Sequence, residues 1–118
     1  MFDAASYMDL CRLPELFCGF LRRQHNAPTQ YPVACSPQAW ASATMFALLQ
    51  ATLGLKLVAG SGEISFCRPV LPDFLDRLHI RNLRLNGGSA DVLLQRHGPD
   101  VTMTQTRRDG DISVVMRY

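Results

Sequence analysis

Between the Ser36-Pro37 pair and Gly54 the chain carries no Asp, Glu, Lys or Arg. Signals for a helix stand at both ends of this run. The Ser36 hydroxyl can accept an N–H that a first turn leaves unpaired, and Pro37 suits the first helical position, where a missing N–H costs nothing. Gly54 follows the last periodic residue and tolerates the left-handed conformation that closes a helix. A surface helix shows one charged face, whereas a helix apolar all round is covered on every side. A chain of 118 residues has little material for that cover. The run therefore predicts a buried helix over 37–53, made for a larger assembly: a homo-oligomer paired through the helices of the first half, or a complex with a partner chain.

Length allows one domain, or one domain with a small appendage. A net charge of +2 is too small to point to nucleic acid or an anionic membrane as partner. The helix over 37–53 is shorter than a membrane span and holds Gln38, Ser42, Thr44 and Gln50, which marks a core helix. Asp3 and Asp9 stand where a secretory signal carries Lys or Arg, so the expected location is cytoplasmic. Cys11, Cys18, Cys35 and Cys67 show no close pairing and read as free, buried thiols. His25, His79 and His97 are single and scattered, so no metal site is expected. No glycine-rich phosphate loop, Gly-x-Ser-x-Gly elbow or His-Glu-x-x-His pair is present, and no cofactor is expected.

In chain order, Met1 to Leu13 reads as a helix with Phe2, Ala5, Met8 and Leu13 on its apolar face, ended by Pro14. Residues 13–20 are apolar and irregular around a single carboxylate, Glu15, and residues 21–29 read as a polar surface loop. After Gly54 the pattern turns to alternation. Ile64 and Phe66 mark a short strand stopped by Pro69 and Pro72. Leu78 and Ile80 lie on one phase and Leu83 and Leu85 on the other, which predicts a bulge near Arg81-Asn82. Turns are expected at Gly87-Gly88 and at 97–100, and Asp109-Gly110 predicts a hairpin joining Val101 and Met103 to a last strand over 112–118. The fold class is α+β, with helices followed by an antiparallel meander.

Three residues stand out chemically. Glu15, among Leu13, Pro14, Leu16 and Phe17, has an ionisation set by its surroundings, although a loop carboxylate can also simply point to solvent. Tyr31 and Trp40 offer ring faces to a sugar, although a Trp on a charge-free helix normally packs in the core. Arg22 and Arg23 read as a solvated loop, and Arg77, Arg81 and Arg84 as the outer face of a half-exposed sheet.

The stretch Arg12-Leu13-Pro14-Glu15-Leu16-Phe17-Cys18-Gly19-Phe20, followed by Tyr31-Pro32-Val33-Ala34-Cys35-Ser36-Pro37-Gln38-Ala39-Trp40-Ala41, resembles the C-terminal end of bacterial amylo-α-1,6-glucosidases, the glycogen-debranching-related glycoside hydrolases. The resemblance implies the last helices of a six-hairpin α/α barrel over 1–55 and an antiparallel β appendage over 56–118. It implies that Glu15 matches the inverting general base, with α-glucan or an oligosaccharide as substrate once the rest of the barrel is supplied. The family's general acid lies far upstream and no position here matches it, which implies that the isolated chain is inactive. The rival expectation is a non-catalytic interaction or glycan-binding module that assembles with a partner chain.

Overall fold

A computed structural model describes residues 1–118. They divide into two compact units, Met1–Leu49 and Gln50–Tyr118, and the break falls inside the principal helix.

In the first unit, helix α1 covers only Phe2–Ala5. The Ser6 hydroxyl donates to the Asp3 carbonyl at 2.7 Å, a local bond of the kind that competes with helix propagation. A 3-10 turn follows at Asp9–Cys11, in which Leu10 and Cys11 have φ of 53° and 55°. The helix expected over Met1–Leu13 is therefore broken, because two successive left-handed residues cannot continue it. Residues 13–38 are extended and irregular. The unit's core consists of Ala5, Met8, Leu13 and Ala41, with Ala4, Phe17 and Met45 packed against it.

Helix α2 covers Ala39–Leu53. It starts later than the Ser36-Pro37 signals imply, because the Gln38 N–H donates to the Leu13 carbonyl at 3.1 Å while the Gln38 carbonyl accepts Ser42 N–H at 2.9 Å. Gln38 is thus the residue at which the chain turns into the helix. Gly54 closes it at φ 55°, as expected. The cover expected on every side is missing. Ala41 and Leu53 are buried, but Trp40 is 59% exposed and Phe46 74%.

The second unit holds two three-stranded sheets. In the first, strands β1 (Leu55–Val58) and β2 (Glu63–Cys67) are antiparallel, and β6 (Ser113–Arg117) lies parallel to β2 with Glu63 opposite Ser113. In the second, β3 (Arg77–Leu85), β4 (Gly88–His97) and β5 (Asp100–Asp109) form an antiparallel meander. With two sheets and a single helix longer than one turn, the end of an α/α barrel is not what this chain folds into. It is a small α+β protein, mostly β.

The meander follows the alternation closely. Ala90, Val92 and Leu94 of β4 are buried, and the register shifts between Ile80 and Leu83, where the phase of the apolar residues changes. The β3–β4 turn uses Asn86 and Gly87, both with positive φ, one residue earlier than Gly87-Gly88. Such a two-residue turn matches the twist of the strands it joins. The expected hairpin across Asp109-Gly110 does not form. Gly110 has φ 80°, and beyond it the chain leaves β5 and crosses to β2.

Two polar clusters brace this unit. The Arg96 guanidinium donates from Nη2 to the carbonyls of Leu71 (2.6 Å), Leu75 (3.2 Å) and Pro72, holding the connection before β3. On the outer face of the meander, Asp91 accepts the Asn82 N–H at 2.7 Å and both Nε and Nη2 of Arg107 at 3.2 Å. The Asn82 N–H, then Arg107, hold the Asp91 carboxyl below its ordinary 3.8. A lowered folded pKa means that the stabilisation is present above the ordinary value and is lost as the pH falls through the lower one. Acid unfolding of wild-type protein followed by circular dichroism should therefore lose this contribution below about pH 3.8. An Asp91→Asn chain should be less stable at neutral pH and its stability should vary less across that acid range.

Candidate functional site

The two stretches that carry the family resemblance lie side by side. The Leu13 carbonyl accepts the Gln38 N–H at 3.1 Å, and Glu15 donates its N–H to the Cys35 carbonyl at 2.8 Å. Phe17 bridges Gln30, and the Cys18 N–H reaches the Thr29 carbonyl at 2.9 Å. A turn from Tyr31 to Ala34, closed by the Ala34 N–H on the Tyr31 carbonyl at 3.0 Å, takes up the residues between these contacts. Two motifs about twenty residues apart thus form one antiparallel ladder, with 19–28 as its loop.

Glu15 sits in the middle of this ladder and is half-buried, with Leu13 and Pro14 buried just before it. Its Oε2 accepts the Cys35 N–H at 3.3 Å. That bond orients the carboxylate while Oε1 accepts no bond from the protein. Glu15 forms no ion pair; Arg22 is engaged with Asp3 and lies over the Tyr7 ring, 5.5 Å from its centre. Phe17 packs on the core, whereas Leu16 is exposed and gives Glu15 no backing. Tyr31 and Trp40 are exposed and neither hydrogen-bonds to Glu15; the Trp40 carbonyl accepts the Thr44 hydroxyl. Their rings are open to a ligand.

A hollow of about 250 Å³ lies between the segment of Tyr7, Met8, Asp9 and Arg12 on one side and Gln30 with the Ser36-Pro37 pair on the other. No periodicity pointed to it. A helix over Met1–Leu13 places Asp9 and Arg12 on an ordinary solvated face, and only the left-handed residues 10 and 11 turn them toward one concavity. Each such residue costs about 1–2 kcal/mol. Leu10 is 82% exposed and Cys11 is exposed too, so no burial of these side chains offsets that strain. A larger hollow of about 500 Å³ lies within the 18–29 loop, but Arg22 there already donates to the Asn26 carbonyl and pairs with Asp3.

All four cysteines are free. Cys11, Cys35 and Cys67 are exposed and Cys18 half-buried, against the expectation of buried thiols, since each lies in a turn, the ladder or a strand end. No group of three or more His, Cys, Asp or Glu side chains is placed to hold a metal. No helix is long and apolar enough to cross a membrane.

Compared with known proteins, the chain matches no family model, no curated protein and no solved structure.

Proposed function

We propose that this chain supplies the base-bearing part of an amylo-α-1,6-glucosidase-type glycoside hydrolase, with Glu15 as the general base. In such a reaction the base takes a proton from water as the water oxygen attacks the anomeric carbon. The bond to the leaving oxygen breaks, a separate acid protonates that oxygen, and the configuration inverts. Inversion needs the two carboxyl groups roughly 6.5–9.5 Å apart, with room for the water. The acid comes from a segment outside these 118 residues, and the substrate is an α-glucan or oligosaccharide. The observation that carries this reading is the ladder joining Leu13–Cys18 to Thr29–Gln38, which aligns the Glu15 carboxylate on the Cys35 N–H. The test supplies the acid by combining the chain with the catalytic segment of a related hydrolase. Turnover on branched glucan that is lost in Glu15→Gln supports the reading, and turnover indifferent to that change overturns it.

The charge-free face of α2 favours a second property, association. Exposed Trp40, Phe46 and Leu48 stand on a helix with no charged residue, and contiguous apolar surface of this kind marks interfaces. Light scattering at high micromolar concentration should give dimers or larger species, and Phe46→Glu should shift them to monomer. A wild-type monomer at that concentration removes this second reading.

A further inference from the structure

We propose that the free edge of β3 takes up an extended segment of a partner protein, acidic at alternate residues, as an added strand. Four strands are outermost in the two sheets, β1 and β6 in one and β3 and β5 in the other. An outermost strand presents unpaired N–H and C=O groups along one rim, and another chain can pair with them. The side chains along the rim decide which chain that is.

Three of these edges have little charge to offer. β1 carries only Lys56, and its Leu55 carbonyl already accepts the Gln50 side-chain amide at 3.2 Å. On β6, both Nη atoms of Arg117 donate to Glu63, at 3.2 and 2.9 Å. On β5, Arg107 is engaged by Asp91 and Arg108 reaches the Ile112 carbonyl at 3.4 Å. β3 differs. Arg77, Arg81 and Arg84 are all exposed, and none of them meets a carboxylate. Arg81 donates from Nε to Nδ1 of His79 at 3.3 Å, and Arg84 from Nε to Oδ1 of Asn82 at 3.1 Å. These neutral acceptors hold the guanidinium groups along the strand and leave their Nη atoms to a ligand. The net charge of +2 conceals this row, because the nearest acidic residues before β3, Asp73 and Asp76, face Arg96.

Arg77, His79 and Arg81 are alternate residues and share one face of the sheet. Leu78 and Ile80 point to the other face and are only half-buried. An added strand sets each side chain about 4.5–5.5 Å from the residue it opposes. Carboxylates at alternate positions therefore meet Arg77 and Arg81, and apolar residues between them cover Leu78 and Ile80. The shift in register between Ile80 and Leu83 confines regular pairing to the first half of β3. A second copy of β3 would set arginine against arginine, and like charges directly opposite destabilise a sheet. The row thus rejects its own kind while admitting an acidic strand. A nucleic acid is anionic too, but β3, β4 and β5 contain no Phe, Tyr or Trp on which bases could stack.

The test is fluorescence anisotropy of the full chain with a short dye-labelled peptide in which Glu alternates with Val. Its comparators are a peptide of the same composition with the Glu residues in one block, the fully N-methylated alternating peptide, and oligothymidylate. The alternating peptide should bind at least about tenfold more tightly than each of the three. Arg77→Glu combined with Arg81→Glu should weaken it at least about tenfold, by removing two surface ion pairs and adding repulsion. Both residues are exposed, so the fold should persist, which unchanged amide spectra of β4 and β5 confirm. Hydrogen exchange should show new protection at alternate amides of β3 before the bulge, and none on β5. No binding at millimolar peptide, undiminished binding by the double variant, or protection on another edge overturns the proposal. Equal binding of the N-methylated or block peptide, or of oligothymidylate, overturns it too, since a charged surface without strand addition would then be enough.

Discussion

Replacing Gly54 by alanine should unfold the second unit more readily than any other single methyl added to the chain. At φ 55° a side chain is already strained, and the added Cβ would fall inside the contact distance of the Cys67 carbonyl oxygen, 2.8 Å from its carbon. These are backbone atoms of β2, so no side chain can swing away. The same residues are tied by the Cys67 N–H on the Gly54 carbonyl at 3.1 Å, which any shift would stretch. The cost should reach at least about 3 kcal/mol, a fall in Tm of more than about 12 °C for a unit of this size. Gly87→Ala is the control. It has φ 79° with nothing within 4 Å of the new atom, so it carries the backbone strain without the clash and should cost about 1 kcal/mol. Equal melting temperatures for the two variants would show that the approach of Gly54 to Cys67 has no energetic weight.

The second large effect belongs to Glu15. In the completed hydrolase, Glu15→Ala should lower kcat at least about 10²-fold with KM little changed, because a base acts on the water and not on sugar binding. Glu15→Gln separates chemistry from scaffolding. Its amide oxygen can still accept the Cys35 N–H, so the ladder survives, but it cannot take a proton. If the carboxylate merely props Cys35, Gln restores the rate; if it is the base, Gln is as slow as Ala. Azide adds a third readout. It attacks without losing a proton, so it should restore turnover in Glu15→Ala and give a glycosyl azide of inverted configuration, leaving wild type unaffected. On the same proposal, in which a separate segment brings the acid, the isolated chain should show no turnover on branched glucan or on an aryl α-glucoside.

Local rules were legible where they act within a few residues. The bulge at Arg81-Asn82 follows from apolar residues changing phase, and Gly54 follows from the end of a helical run. What failed depends on distant partners. Nothing near β6 shows that Ser113 will lie beside Glu63 rather than along β5. Nothing in residues 1–13 signals that Leu10 and Cys11 turn left-handed, so the helix there was overextended and the hollow stayed hidden. The charge-free run did mark α2, but absence of charge does not say what covers a helix. Glu15 was visible only as a candidate, a single carboxylate among apolar neighbours. Its alignment on Cys35 was not, since that bond spans twenty residues.

The parallel pairing of β2 with β6 has a consequence for the order of events during synthesis. β1 and β2 are complete as a hairpin early, and the β3–β5 meander needs only its own neighbours. β2 is the middle strand of its sheet, yet its second neighbour is translated only after the whole meander. Until the ribosome has passed Arg117, one rim of β2 offers unpaired N–H and C=O groups beside Ile64 and Phe66, and such a rim recruits any strand at hand. Folding of this unit is therefore paced by its longest-range contact. Nascent chains halted between β5 and β6 are the species most prone to pair with one another.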